Sequence, residues 1–138
     1  MRNLLLIGVI SAMLAGCSSV AVNPESGKPV PMANIVDKDL LIGGADKGQV
    51  VVARDDAFVG GGVDTRVYVN GKRIANVPNA TVLRFYLPVG EHKVGVQIYG
   101  LNNSDVPVRY EKINVAAAGV YRYRLIFNGA TWELMSLD

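Results

Sequence analysis

The sequence predicts one all-β domain, an antiparallel sandwich of about seven strands over residues 48–138. Three observations predict it. From Gly48 onward apolar and polar residues alternate with period two, in short runs separated by turn residues, and no stretch repeats convincingly at helical spacing. After residue 16 the chain holds 20 Val and only 8 Leu, a bias toward side chains that pack well on a pleated surface and lose rotamer freedom in a helix. The length of 138 residues bounds a single domain, and the roughly 90 residues of the alternating part bury a real though modest core.

Each strand has its own justification. Residues 49–54 form a Val-rich strand between Gly48 and the Asp55-Asp56 pair. In 66–70, Val67 and Val69 share one face, with Arg66 and Tyr68 on the other. Asn70-Gly71 is the strongest two-residue hairpin signal, because both central residues of a type I′ turn take positive φ. Residues 72–75 are the short return strand. Residues 82–87 put Leu83, Phe85 and Leu87 on one face, 88–91 turn the chain, and 93–99 alternate Val94, Val96 and Ile98 against Lys93, Gln97 and Tyr99. Residues 106–115 read as a long strand whose apolar phase slips near Glu111-Lys112, which predicts a bulge or a change of sheet. In 120–128, Tyr121, Tyr123, Leu125 and Phe127 point inward, opposite Arg122 and Arg124. Asn128-Gly129 then turns into 131–137, which carries Trp132.

The front of the chain follows other rules. Met1-Arg2-Asn3 is a short positive segment, residues 4–14 are apolar, and Ala15 and Gly16 are small. At about 1.5 Å per residue the apolar stretch is roughly 17 Å of helix, against a hydrocarbon core of ~30 Å. Residues 1–16 therefore read as a cleavable signal peptide and not as a span. Leu14-Ala15-Gly16-Cys17 is similar to a bacterial lipobox. That resemblance implies cleavage before Cys17, a diacylated thiol and an acylated amine, an anchor that holds a protein on a membrane without crossing it. Ser18 stands where an inner-membrane retention signal shows Asp, so the resemblance further implies an outer-membrane protein facing the periplasm of a Gram-negative cell. Residues 17–47 are expected to be the lipidated Cys and a tether. Within them, 18–34 carry Ser18, Ser19, Asn23, Pro24, Ser26, Gly27, Pro29 and Pro31 without periodicity, a composition suited to an extended, solvated chain. Val20, Val22 and Val30 leave open that this stretch drapes over the domain. Residues 35–42 fit either one helical turn or a lead-in strand.

Two turns look familiar. Val67-Tyr68-Val69-Asn70-Gly71-Lys72-Arg73-Ile74 resembles the hairpin of PEGA-type domains, and Leu87-Pro88-Val89-Gly90-Glu91-His92-Lys93-Val94 resembles the turn that follows it. Arg54-Asp55 before a Gly-rich loop, together with Gly119-Val120-Tyr121-Arg122-Tyr123, is similar to a related bacterial lipoprotein domain of unknown function. The resemblance implies a small Ig-like or prealbumin-like sandwich. It implies no reaction, and supplies no catalytic residues.

Composition narrows the chemistry. A formal charge of +2, with no Lys/Arg run, does not suggest a nucleic-acid partner. One Cys excludes an intramolecular disulfide and a Cys-rich zinc site. His92 is the only His, so any Ser-His-Asp or Cys-His mechanism would have to use it. Its place in Gly90-Glu91-His92-Lys93 at a strand start predicts a solvated turn residue or one bonded to backbone. Asp55, Asp56 and Asp64 flank Gly60-Gly61-Gly62, but their spacing matches no EF-hand, and no Lys-Ser/Thr follows to make a phosphate loop. They read as parts of a surface loop. No cofactor or metal is expected. Arg66, Tyr68, Arg84, Tyr86, Arg122 and Arg124 take outward positions. If their strands share a sheet, they form an Arg/Tyr face suited to an acidic, glycan or protein partner. The alternative is an ordinary solvated face with cross-strand pairs such as Arg to Glu111 or Glu133.

The expectation is a non-catalytic, membrane-anchored lipoprotein, a structural or interaction module of the envelope. Its partners would be the membrane, through lipid, and an envelope protein or glycan. The alternative is a glycan- or small-ligand-binding module at the periplasmic face of the outer membrane.

Overall fold

The computed structural model describes residues 19–57, 63–99, 106–127 and 132–138. The signal peptide, Cys17, the Gly60-Gly61-Gly62 loop and the Asn128-Gly129 turn lie outside them. Eight strands form two four-stranded sheets packed as a sandwich: β1 Lys47–Arg54, β2 Asp64–Val69, β3 Lys72–Asn76, β4 Val82–Pro88, β5 Gly90–Tyr99, β6 Arg109–Val115, β7 Val120–Phe127 and β8 Trp132–Ser136. Sheet 1 has the order β4-β1-β7-β8 and sheet 2 the order β3-β2-β5-β6. All neighbours are antiparallel except β1 and β7, which run parallel. Strands 1 and 2 of the Ig arrangement share a sheet. Here they lie in different sheets, which leaves the prealbumin-like alternative.

The core follows the alternation. Val50 and Val52 from β1, Leu83, Phe85 and Leu87 from β4, and Tyr123 and Leu125 from β7 meet Val67, Val69, Val94, Val96, Ile113 and Val115 of sheet 2. Each such side chain contributes about 1.5–3 kcal/mol by leaving water. β1 departs from alternation because both its faces are covered: Val51 and Ala53 pack outward with Val82 and Val22 in a second, smaller cluster. A Val-Val-Val run is the composition of a strand buried on both sides.

What covers β1 on the outside is the expected tether, which adopts the draped arrangement. Val20 and Asp56 exchange backbone hydrogen bonds at 2.8 and 2.9 Å. The Val30 amide donates to Val82 and the Val82 amide to Lys28, along the free edge of β4. Val30 and Ile35 enter the core between the sheets. Two short 3-10 helices, Met32–Asn34 and Lys38–Leu41, carry the chain past that opening. The amides of Val36 and Asp37 both donate to the Ile74 carbonyl on the edge of β3. Residues 19–47 therefore belong to the fold, and they close the side of the sandwich where the β3 and β4 edges would otherwise lie open. Of residues 35–42, left open between a helical turn and a lead-in strand, Lys38–Leu41 form a 3-10 turn and Ile35 makes a single bridge to Ala75.

The hairpin forms as its residues dictate. Asn70 has φ 50° and Gly71 φ 86°, the type I′ geometry. A Cβ on Gly71 would meet nothing within 4 Å, so a side chain there is opposed by backbone strain alone. Gly71→Val is expected to lower the unfolding free energy by about 1–3 kcal/mol in urea titration, and Gly71→Asn by clearly less, because Asn tolerates the left-handed region.

The bulge lies elsewhere than the sequence places it. β6 keeps continuous register against β5 from Val115 opposite Gly90 to Arg109 opposite Val96. The apolar phase fails there because β6 is an edge strand, whose Glu111 sits on the inward phase at an open rim. The register shift falls between Val67 and Tyr68, where Ile74 is the extra residue on β3. That bulge turns both Ile74 and Ala75 into buried positions and presents the Ile74 carbonyl to the draped segment.

Candidate binding face

The six outward Arg and Tyr residues do not form one face. Arg84, Tyr86, Arg122 and Arg124 project from sheet 1, Arg66 and Tyr68 from sheet 2. Alternation sets which side of a strand a residue takes, but not which sheet the strand joins.

The sheet 1 arginines are occupied within the chain. Arg84 Nη2 donates to the Pro24 carbonyl at 2.7 Å and to that of Glu25 at 3.2 Å. Arg122 Nε donates to Glu25 Oε1 at 2.5 Å, and its Nη1 to Asp138 Oδ1 at 3.2 Å. The hydrogen bond and attraction of Glu25, reinforced by Asp138, raise the Arg122 pKa above its ordinary value. Arg124 grips Asp55 with two bonds, Nε to Oδ1 at 3.2 Å and Nη2 to Oδ2 at 2.5 Å. Tyr86 Oη accepts from Gln49 Nε2 at 3.3 Å. Arg84 and Arg122 thus fasten Pro24, Glu25 and the C-terminal Asp138 onto sheet 1, while Arg124 holds Asp55. The carboxylate partners of Arg122 and Arg124 are Glu25, Asp138 and Asp55, two of them far along the chain, where the alternative of an ordinary solvated face offered Glu111 or Glu133 as examples.

The acidic loop residues are likewise committed. Asp55 is buried rather than a surface-loop carboxylate, Asp56 Oδ1 accepts from Asn79 Nδ2 at 2.7 Å, and Asp64 pairs with Arg66. Arg54 points the other way, into the sandwich, and donates from Nη1 to the Val77 carbonyl at 2.6 Å. Burial pulls its pKa down to about 10 against the opposing attraction of Asp64, and it stays charged at neutral pH.

His92 is bonded to backbone, as its turn setting predicts. Asn70 Oδ1 accepts from the Lys93 amide at 2.9 Å, which directs its Nδ2 to His92 Nδ1 at 3.0 Å. Nδ1 is then the acceptor, and the proton on Nε2 donates to the Pro88 carbonyl at 2.8 Å. The imidazole ties the hairpin to the β4–β5 turn. Among the described residues no three His, Cys, Asp or Glu come together as a metal-binding group.

The outer face of sheet 2 differs, because no other segment lies over it among the described residues. Arg66 sits with its guanidinium carbon 3.7 Å from the Tyr99 ring centre and its Nε 3.5 Å from Asp64 Oδ2. The Tyr68 hydroxyl donates to Gln97 Oε1 at 2.8 Å, and Gln97 Nε2 donates to the Val106 carbonyl at 2.8 Å. Tyr110 lies across Gly95, where an added Cβ would fall 2.6 Å from the ring. Arg73, Tyr68, Gly95 and Tyr110 make one cross-strand row over four strands. Tyr99 and Tyr110 are exposed. Beyond Tyr110 an open depression of about 490 Å³ is lined by Asn70, Gly71, Glu91, His92 and Lys93. The face is aromatic and cationic, with side chains oriented by cation–π and hydrogen-bond contacts.

Sequence reading found Arg66 and Tyr68 and missed Arg73, Gln97, Tyr99 and Tyr110. The outward phase of 93–99 already pointed to Gln97 and Tyr99. Tyr110 was hidden by the supposed phase slip in β6.

The chain matches no family model, no curated protein and no solved structure.

Proposed function

We propose that the chain is a non-catalytic, lipid-anchored module of the cell envelope that offers the outer face of sheet 2 to an envelope partner. One observation carries the reading: the N-terminal segment covers the outer face of sheet 1, while no described segment lies over the Tyr/Arg face of sheet 2. Exposed tyrosines and arginines on a rigid sheet supply large contact area at low ordering cost, the usual material of binding hot spots. Attachment through Cys17 at the outer membrane is supported by the lipobox-like Leu14-Ala15-Gly16-Cys17. The PEGA-like resemblance adds hairpin motifs and no chemistry. Among the described residues no helix is long and apolar enough to cross a membrane.

A second reading, glycan binding, is favoured by Tyr99 and Tyr110 beside the hydrogen-bonding Gln97. A photo-crosslinking residue in place of Tyr110 is expected to give a discrete adduct in intact envelopes, lost on Arg73→Glu. The same group in place of Tyr86 is expected to give none. A protein adduct supports the first reading and a muropeptide or lipopolysaccharide adduct the second. No adduct at Tyr110, or equal adducts at both positions, overturns the face.

A further inference from the structure

The draped segment fixes where a lipid on Cys17 can be. Val20 is bonded to Asp56 through both backbone groups, and only Ser18 and Ser19 separate it from Cys17. Three residues reach at most about 11 Å. β1, eight residues, is about 26 Å long. A leash shorter than the domain cannot let it turn freely.

Asp56 lies at one end of the sandwich. The strand register puts Ala53 beside Val82 there, and Asp64 beside Tyr99. At the opposite end lie Lys47 beside Pro88, and the Asn70-Gly71 turn. We infer that the acyl chains on Cys17 hold the Asp56 end of the sandwich directly against the bilayer surface, with the Asn70-Gly71 end pointing away from it. The inference rests on the anchored reading proposed above. Residues on the near end suit the position. Val20 and Val106 are exposed apolar side chains there, suited to the boundary where headgroups meet hydrocarbon. The segment that follows Val20 runs over the outer side of sheet 1, where Val22 packs against Val51, Ala53 and Val82, so the anchor leaves the domain on the covered side. The outer face of sheet 2, over which no described segment lies, and the depression around His92 then face the periplasm.

The test uses acylated mature protein purified from membranes and reconstituted in phosphatidylethanolamine/phosphatidylglycerol vesicles that carry a headgroup-linked quencher. The Cys17 thiol is blocked by lipid, so a single fluorophore can be placed through Val106→Cys at the near end or Val89→Cys at the far end; both positions are exposed. The expected result is loss of most of the emission at residue 106 and little loss at residue 89. A flexible Gly/Ser insertion between Ser18 and Val20 should then bring the two labels close to equality, because added linker restores free rotation. Equal quenching of the two labels in the native-length chain, with acylation confirmed by a palmitate analogue, overturns the orientation alone. Failure of the wild-type chain to take up the palmitate analogue overturns the anchor and the orientation together.

Discussion

A chain cut back to residues 48–138 is expected to lose cooperative folding, although it retains nearly all of the eight strands. The removed segment contributes Val30 and Ile35 to the main core and Val22 to the outer cluster. By area alone each of these apolar side chains is worth about 1.5–3 kcal/mol. Its loss also frees the Arg84 and Arg122 clamps and bares the edges of β3 and β4. Together these losses match the whole net stability of a small domain, about 5–15 kcal/mol. Urea unfolding followed by circular dichroism should show a two-state transition for residues 18–138 and a shallow, non-cooperative one for 48–138. Ile35→Ala in the longer chain isolates the core contribution, with an expected loss of about 2–5 kcal/mol. A cooperative transition at an unchanged midpoint for 48–138 would show that the segment rests on the fold without supporting it.

Asp55→Ala is expected to cost about 3 kcal/mol, more than any exposed ion pair in the chain. The Asp55 side chain is 3% exposed and that of Arg124 27%. Removing the carboxylate strands a guanidinium against sheet 1 under the draped segment. Breaking a buried pair from one side costs about 3–5 kcal/mol, and the partial water access of Arg124 places this pair at the lower end. Replacing both partners, as in Asp55→Leu with Arg124→Leu, should recover much of the loss, because neither charge is then left alone. A double-mutant cycle in urea reads the coupling directly. A loss under about 0.5 kcal/mol for Asp55→Ala, the range of an ordinary surface substitution, would sink the assignment. Adduct formation at Tyr110 should be unchanged wherever the variant is folded, since the pair lies on the opposite sheet.

Much of this was readable beforehand. Alternation places Leu83, Phe85 and Leu87, or Val94 and Val96, in the core because a half-buried strand admits one apolar side. Asn70-Gly71 specifies its turn by backbone sterics. Arg54-Asp55 shows where such reading stops: adjacent residues must face opposite ways, yet only the tertiary arrangement tells that one meets the Val77 carbonyl and the other Arg124. The same limit divided the Arg/Tyr face, since strand periodicity is blind to sheet membership. Among the described residues of 18–34, Pro and Ser leave only a short 3-10 turn at Met32–Asn34 and two isolated bridges, but an irregular chain can still pack. Its anchors, Glu25 to Arg122 and Val20 to Asp56, depend on contacts across the sequence that no local pattern encodes.

The central place of β1 has a consequence for the order in which the strands can pair. β1 is flanked by β4 and β7, so sheet 1 cannot assemble until the chain has emerged as far as Phe127. Its parallel pairing of Gln49 with Val120 closes a long loop before any contact rewards it, the kind of topology that folds slowly. A chain emerging from its N-terminus would thus present an unpaired β1 until β4, and an incomplete sheet 1 until β7, had followed. Because the last strands complete the first, sheet 1 is finished only when nearly all of the chain is available.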